Sequence, residues 1–383
     1  MSDAHHAAPA PLGGPMVTPT TVTLAILAAI AVVILGVRFL YGMGAVSNIS
    51  DGQTWGIWVV YDVMIGSAFA CGGYVMAILV YIFNKGEYHP MVRPALLGSL
   101  FGYTLAGLSA AIDLGRYWNF WHVFWPGYAQ LNSVMLEVAL CVSAYILVMW
   151  IEFAPALLEK FGLNVAKKKL SKVLFFFIAL GVVLPSMHQS SLGAMLTVFG
   201  YHVHPLWQSP VISLLFLMTA VTTGFAVVIF ESCLSSSGFR RALEMDLMTK
   251  LSRLMVWTVA AYIIIRLADL AMRGAFGFMF EPGLKALMFW IEMIAFIVPV
   301  FMLRDEKRRT QPAKLFVAAV LLMAGAFLLR INAYIVGYST GLGWSYFPSV
   351  PELMVSIGII AIEILGYIVL VRYLPILPQE ESI

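Results

Sequence analysis

The sequence predicts an all-α integral membrane protein with about ten transmembrane helices. Of its 383 residues, 61% are hydrophobic and 11% are charged, and the mean hydropathy is +0.90. Apolar runs recur along the chain, and about 20 such residues suffice to cross a bilayer core of roughly 30 Å. These runs must be helical because lipid offers an exposed backbone no hydrogen-bond partner. The composition excludes an ordinary soluble domain.

Ten apolar runs are centred near residues 31, 70, 102, 143, 186, 221, 262, 293, 326 and 362. We expect residues 1–20 to be a disordered cytoplasmic leader and residues 21–383 to form one membrane domain. A weak internal similarity, such as Glu137 in the fourth run and Glu292 in the eighth, predicts two four-helix bundles related by duplication. The first bundle contains spans 2–5 (about 55–200) and the second spans 6–9 (about 205–338), with spans 1 and 10 flanking them.

Basic residues are concentrated on one side of the predicted membrane domain. Seventeen of the 23 Lys and Arg residues lie in or beside the loops after even-numbered spans or near the C-terminus, and four lie on the opposite side. The positive-inside rule therefore places both termini in the cytoplasm. The net charge of +3 reflects this bias and gives no reason to expect nucleic-acid binding.

The metal-binding residue types are sparse. Cys71, Cys141 and Cys233 are isolated, so their spacing predicts no iron–sulfur cluster, zinc site or disulfide. Among seven histidines, only His188 lies deep within an apolar run. A bis-histidine haem pair needs about four such histidines, so we expect no haem and no metal site in this chain. Electrons for any redox chemistry would then come from a partner.

Four ionisable residues of the first bundle are the candidate catalytic groups: Asp62, Asp113, Glu137 and His188. A helical rise of 1.5 Å per residue places Asp62 and Glu137 about 10 Å inside the outer boundary and His188 about 15 Å inside. Ionisable side chains in hydrocarbon are costly and often mark a proton or substrate path. We therefore expect the four to surround one proton-exchanging pocket. The alternative is a structural role, because polar side chains also join membrane helices.

The remaining ionisable groups within spans allow simpler interpretations. We expect an ion pair between Arg266 and Asp269, which are three residues apart, and a second pair between Glu292 and Arg330. Glu152 and Glu231 fall toward the cytoplasmic ends of their spans. They are either solvated or form the inner mouth of a proton path.

Aromatic residues are concentrated at the non-cytoplasmic face, which holds eight of the ten tryptophans at or near it. Headgroup anchoring explains some of them, but anchoring belts normally form at both surfaces. Aromatic side chains are also enriched where proteins dock and where flat rings bind. We favour a docking face on the outer side.

Six motifs occur in order along the chain: Trp55-Gly56-Ile57-Trp58, residues 66–73, Asn84-Lys85-Gly86-Glu87-Tyr88-His89-Pro90, Ile112-Asp113-Leu114-Gly115-Arg116-Tyr117-Trp118-Asn119, Met187-His188-Gln189-Ser190-Ser191 and His204-Pro205-Leu206-Trp207-Gln208-Ser209. They resemble those of HybB-type integral membrane subunits of hydrogenase-2-like nickel–iron hydrogenases, which belong to the polysulfide reductase (NrfD-like) family. The resemblance extends from about residue 35 to the C-terminal tail.

The resemblance implies a subunit of the bacterial inner membrane that works in a complex. Its partners would be a periplasmic ferredoxin-like iron–sulfur subunit and the small and large subunits of a nickel–iron hydrogenase. Electrons from hydrogen would reach a quinone, expected to be menaquinone, bound in this chain, and proton movement across the membrane is suspected in the family. Two alternatives stay open: the same module serving a molybdenum-containing or other iron–sulfur oxidoreductase, and a secondary transporter.

In that context the candidate residues acquire roles suited to quinone reduction, which consumes two electrons and two protons. His188 is expected to donate to a ring carbonyl and to be reprotonated by Glu137 or Asp113, with Asp62 nearby, which is general acid work. The residues expected to wall the pocket or orient the ring are Trp55, Trp58, Arg116, Tyr117, Trp118 and His122.

Overall fold

The computed structural model describes residues 9–378 apart from positions 51, 54, 342 and 343. Its α-helices are α1 Pro19–Tyr41, α2 Gly66–Phe69, α3 Gly72–Ala77, α4 His89–Asp113, α5 Val134–Lys160, α6 Asn164–Ser171, α7 Leu174–Phe199, α8 Ile212–Phe239, α9 Met245–Met272, α10 Leu284–Met302, α11 Glu306–Arg309, α12 Pro312–Ile331 and α13 Val350–Tyr373. Strands β1 (Pro9–Ala10) and β2 (Leu377–Pro378) are short.

Other helical turns extend or connect these helices. The 3-10 helices are Met43–Ala45, Gly86–Tyr88, Tyr117–Phe124, Gly200–His202 and Ala275–Met279, and the π-helices are Trp58–Ile65, Ile78–Ile82 and Asn332–Val336. Within the described residues, ten helical segments are long and apolar enough to cross a membrane, which confirms the predicted all-α membrane class.

The spans are numbered in chain order. Span two is Trp58–Ile82, span three Gly86–Asp113, span five Leu174–His202 and span nine Pro312–Val336; spans one, four, six, seven, eight and ten are α1, α5, α8, α9, α10 and α13. Since ten successive spans return the chain to its starting side, the first and last described residues lie on one face. We call that face the basic side and the opposite face the aromatic side.

The helices pack as two closed sets of four. In the first set α3 contacts α4, α4 contacts α5, α5 contacts α7, and α7 returns to α3; in the second set α8, α9, α10 and α12 form the same cycle. Contacts of α8 with α7 and α3 join the sets, and one hydrophobic core runs through both. Spans two and six are the most enclosed and therefore form the centre.

Glycine permits a close contact between these two central spans. A Cβ atom at Gly224 of α8 would lie 2.6 Å from the carbonyl oxygen of Cys71, closer than atoms can pack. Span two is interrupted at this point, between α2 and α3. The contact holds the interrupted segment, with Ser67 and Cys71, in the middle of the protein.

The chain ends are ordered against each other on the basic side. Pro9 and Ala10 pair with Pro378 and Leu377 in an antiparallel arrangement, and α1 begins with Thr18 as its N-cap. The predicted disorder over residues 1–20 therefore does not extend to residues 9–20, which are structured because the C-terminal tail supplies backbone partners. Residues 1–8 lie outside the described residues.

Candidate functional site

His188 lies at the centre of a network of neutral hydrogen-bonding groups. Its side chain is 1% exposed, and its Nε2 lies 3.2 Å from Gln189 Nε2 and 3.4 Å from Tyr103 Oη. Gln189 Nε2 also donates to Ser67 Oγ at 3.1 Å. We call His188, Gln189, Tyr103 and Ser67 the His188 cluster. Nδ1 of His188 is buried and has no hydrogen-bond partner, which leaves one ring nitrogen available.

Hydroxyl groups of neighbouring spans surround this cluster. The Tyr145 ring packs edge-on against Tyr103 at 4.5 Å, and the Tyr74 and Ser186 hydroxyls are 2.8 Å apart. The Cys71 thiol lies 3.7 Å from Tyr103 Oη. Spans two to five thus enclose a polar centre of uncharged side chains around His188.

Arg330, from the second set of helices, supplies the charge beside the cluster. Its side chain is fully buried, and Nη2 donates to Gln189 Oε1 at 3.1 Å. The predicted pair of Glu292 with Arg330 is wrong, because Glu292 Oε2 instead accepts from Trp207 Nε1 and Asn332 Nδ2, each at 2.9 Å.

The predicted pair of Arg266 and Asp269 is also wrong. Asp269 pairs with Arg273, one turn further along α9, at 2.8 Å, and Arg266 Nη2 donates to the carbonyl of Leu206 at 2.7 Å. The i,i+4 partner has the better reach across one helical turn.

Glu137 lies closer to the surface than predicted. Helix α5 begins at Val134 with Ser133 as its N-cap, so Glu137 is in the first turn and is exposed. There its negative charge is favoured by the helix dipole. Glu137 Oε1 accepts a hydrogen bond from Ser191 Oγ at 2.8 Å. Ser191 follows His188 by one turn, so this pair marks the seam between spans four and five on the aromatic side.

Asp62 and Asp113 belong to a separate polar region formed with spans one and ten. Asp62 accepts from Ser356 at 3.2 Å, and Asp113 interacts electrostatically with Glu352 and Arg38. The described contacts do not bring these two residues to His188 or Glu137. The predicted convergence of all four residues on one pocket is therefore not found.

The predicted ring-binding residues are dispersed as well. Trp58 is buried and donates to the Glu352 carbonyl at 3.1 Å, and Trp55 packs against Phe199 and Tyr334. Tyr117 packs on Phe39, whereas Arg116 is exposed. None of the described contacts joins these side chains to His188.

Exposed aromatic residues are concentrated in one segment of the aromatic side, residues 118–128, which we call the aromatic platform. Its exposed members are Trp118, Phe120, Trp121, Phe124, Trp125 and Tyr128. His122 lies among them, stacked on Tyr128 at 4.0 Å. Such a concentration of exposed aromatic side chains is typical of a protein interface, so Trp118 and His122 fit a docking surface better than a buried ring pocket.

Acidic side chains from spans six and ten lie in a row beside span three. Glu231 and Glu363 approach two glycines of α4: a Cβ at Gly98 would lie 2.3 Å from Glu231 Oε1, and a Cβ at Gly102 would lie 3.3 Å from Glu363 Oε1. Glu363 interacts electrostatically with Glu231. Small residues at these positions let the carboxyl groups enter the helix interface.

The row has an opening on the basic side and continues toward the aromatic side. Glu231 lines a cavity of about 70 Å³ together with Arg241, Tyr367 and Leu377 of the C-terminal tail. In the other direction, Tyr61 interacts electrostatically with both Glu363 and Asp62. We call Glu231, Glu363, Tyr61 and Asp62 the acidic row.

Sequence reasoning missed Tyr103, Gln189, Ser67 and Arg330 as members of the site. Arg330 carried a usable signal, because a charged residue inside an apolar run is unusual. Gln189 was adjacent to His188 in a motif already singled out. Tyr103 and Ser67 carried no signal, since such residues are common in membrane helices.

The comparisons with known proteins agree with this architecture. The profile of the family described as "Polysulphide reductase, NrfD" matches residues 45–341. The chain is 44% identical over 373 residues to the "Probable Ni/Fe-hydrogenase 2 b-type cytochrome subunit" of Escherichia coli (strain K12), which covers 97% of this chain and 95% of that protein. It is 26% identical over 378 residues to the "Menaquinone reductase, integral membrane subunit" of Nitratidesulfovibrio vulgaris, which covers 89% and 87%.

A more distant relative serves a different oxidoreductase. The chain is 22% identical over 410 residues to one of the selenate reductase subunits of Mesobacillus selenatarsenatis, and the match covers 94% of each protein. Membrane subunits of this type therefore occur with several kinds of redox enzyme.

The Escherichia coli relative corrects one prediction. Its name describes a b-type cytochrome, which implies haem, and this contradicts the expectation that the present chain carries none. The described side chains do not fit a bis-histidine haem buried in the membrane, because His188 is the only described histidine deep inside a span and its Nε2 faces Gln189 and Tyr103. The other described histidines lie at span ends or in connecting segments: His89, His122, His202 and His204.

Proposed function

This chain belongs to the polysulphide reductase (NrfD) family, and from that premise we propose that it is the quinone-reactive membrane subunit of a periplasm-facing nickel–iron hydrogenase complex. A partner iron–sulfur subunit delivers electrons at the aromatic side, and a quinone, with menaquinone the expected one, accepts them within the membrane. The hydrogenase-2 and menaquinone reductase relatives support both parts of this proposal.

One observation carries the assignment of the site: His188 is buried among neutral donors and has an unpartnered Nδ1. A buried polar atom without a partner is costly, and a ring carbonyl is a suitable partner. The partly buried Glu137–Ser191 seam, one turn away on α7 and exposed at Glu137, provides the approach from the lipid. The ring binds at this seam, and its oxygen reaches the imidazole.

Partner docking follows from the aromatic platform. The predicted orientation, with both termini in the cytoplasm, puts the platform on the periplasmic side. Aromatic side chains commonly anchor protein interfaces, so the platform receives the electron-carrying partner. An alternative partner is another oxidoreductase, molybdenum-containing or iron–sulfur, and the relative named as a selenate reductase subunit supports a reductase partner of a different kind. Co-purification separates the two, since only the first predicts a nickel–iron large subunit.

Hydrogen-dependent quinone reduction in membranes tests the site. We expect His188→Asn to lower the rate about 10²-fold, the lower end for loss of an acid–base group, with unchanged amounts of assembled complex. His89→Asn, at the basic end of span three, is the matched control. A full rate for His188→Asn would remove the imidazole from the mechanism.

We extend the proposal to proton movement through the acidic row. Carboxyl and phenol groups that succeed one another from the basic-side cavity to Asp62 are suited to passing protons across hydrocarbon. In sealed vesicles, Glu363→Gln should lower the number of protons moved per electron, while Glu306→Gln, on the exposed helix α11, should not. An unchanged ratio in both variants would exclude the row.

A further inference from the structure

Arg330 is a buried guanidinium without a carboxylate partner. None of the ion pairs in the described part of the chain includes it. Nη1 donates to the Ala326 carbonyl at 3.2 Å, and the group lies 5.0 Å over the Phe216 ring. Burying an unpaired charge in a membrane protein is costly and usually marks a functional requirement.

The donor and acceptor chemistry of Arg330 fixes the orientation of Gln189. A guanidinium only donates hydrogen bonds, so the Gln189 atom that lies 3.1 Å from Arg330 Nη2 must be the carbonyl oxygen. The amide nitrogen then faces the other way. Its two hydrogens match its two described acceptors, Ser67 Oγ at 3.1 Å and His188 Nε2 at 3.2 Å.

The same accounting fixes the tautomer of His188. An amide NH₂ only donates, so Nε2 of His188 must accept, and in a neutral imidazole the proton is then on Nδ1. The Tyr103 hydroxyl, 3.4 Å from Nε2, can also donate and agrees with this assignment. Nδ1 is the buried atom without a partner, so the network presents a free N–H donor.

We propose that Arg330 is a positioning residue for quinone reduction, acting through Gln189 to hold the proton of His188 on Nδ1, where it hydrogen-bonds a quinone carbonyl oxygen. The inference rests on the proposed function. It gives the second set of helices a part in the reaction, because Arg330 of span nine determines which ring nitrogen of His188, on span five, carries the proton.

A double-mutant cycle tests the linkage in the purified complex with a short-chain naphthoquinone as the acceptor. We expect Arg330→Gln to lower kcat about tenfold, the effect of one lost polar interaction, with little change in KM. Arg330→Gln combined with His188→Asn should be no slower than His188→Asn alone, since both act through one group. Arg266→Gln is the matched control, because Arg266 is equally buried but bonds only the Leu206 carbonyl.

Multiplied effects in the double variant would overturn the inference, whereas a full rate for His188→Asn alone would instead overturn the proposed function. If Arg330→Gln does not assemble, Gln189→Met breaks the same link while Arg330 stays in place, and the same outcomes apply. A second readout does not depend on activity. The ¹⁵N spectrum of labelled histidine, assigned with His188→Asn, should show the proton on Nδ1, and a proton on Nε2 would refute the inference.

Discussion

Ser191 Oγ lies 2.8 Å from Glu137 Oε1 and joins span five to span four at the exposed edge of the first set of helices. Ser191 and His188 are three residues apart on α7 and therefore share one face of that helix. This partly buried hydrogen bond is thus one helical turn from the buried imidazole. The hydrogen bond between Ser191 and the exposed Glu137 therefore links the buried His188 cluster to the lipid-facing side of span four.

The seam predicts a binding defect for Ser191→Ala. Loss of the hydroxyl releases Glu137, and the KM for quinone should rise about three- to tenfold, the effect of one hydrogen bond of about 0.5–1.5 kcal/mol. Ser190→Ala is the control, because Ser190 Oγ bonds only the carbonyls of Ser186 and Met187. Steady-state quinone titration measures the effect, and equal KM values in both variants would contradict the approach through this seam.

Glu292 should stabilise the second set of helices. Glu292→Ala leaves Trp207 Nε1 buried without its acceptor, at about 1–3 kcal/mol. It also removes one of the two acceptors of Asn332 Nδ2, which keeps its bond to the Met288 carbonyl. Glu292→Gln retains an acceptor oxygen and should cost less. Thermal unfolding in detergent measures the relative stabilities of the two variants. Glu306→Ala is the control, because Glu306 is exposed. A melting temperature for Glu292→Ala equal to the wild-type value would disprove this role.

Hydropathy predicted the spans well because the membrane imposes their length and helical form. It predicted less well how deep each polar residue lies in the membrane. Glu137 was placed too deep, although Ser133, a preferred N-cap residue, marks the start of α5. Attention to that cap would have placed Glu137 in the first turn.

The direction in which each polar residue points could not be predicted. When every face of a helix is apolar, the sequence pattern does not distinguish the buried face from the lipid face. Asp62 therefore faces span ten, and not His188, for reasons that only packing supplies. The contact of Arg330 with Gln189 joins residues 141 positions apart, and no local pattern predicts it.

The aromatic platform predicts weaker partner binding when its tryptophans are shortened. Trp121→Ala combined with Trp125→Ala should lower recovery of the partner subunits about tenfold, because interfacial tryptophans often contribute more than 1 kcal/mol each. Trp257→Ala is the control, since that tryptophan is exposed on span seven. Affinity purification in detergent measures recovery, and unchanged recovery in the double variant would exclude the platform as the docking surface.

His204, in the loop between spans five and six, predicts a pH dependence of stability. Burial, and then the nearby Lys285, lower the pKa of His204 below its ordinary value of 6.5. The folded protein thus favours the neutral ring, so its contribution to stability is present above pH 6.5 and is lost as the pH falls below that value. Relative to wild type, His204→Gln should lose less stability between pH 7 and pH 5. Melting temperatures that fall equally in the variant and the wild type between pH 7 and pH 5 would refute this prediction.

The tight contact of Gly98 with Glu231 gives the sharpest test of the acidic row. A Cβ at Gly98 would lie 2.3 Å from Glu231 Oε1, so Gly98→Ala must displace the carboxyl group. Because Glu231 stands between the basic-side cavity and Glu363, we expect the protons moved per electron to fall while quinone reduction continues. Sealed vesicles with an internal pH dye measure this ratio.

Two further variants decide whether the displacement itself is the cause. Gly36→Ala in α1 is the matched control, because a Cβ there meets nothing within 4 Å. Glu231→Asp, which shortens the side chain by one methylene, should restore the ratio when combined with Gly98→Ala, since it relieves the contact and keeps the carboxyl group. If Gly98→Ala retains the wild-type ratio, protons do not pass Glu231, and the acidic row is a structural feature of the interface between spans three and six.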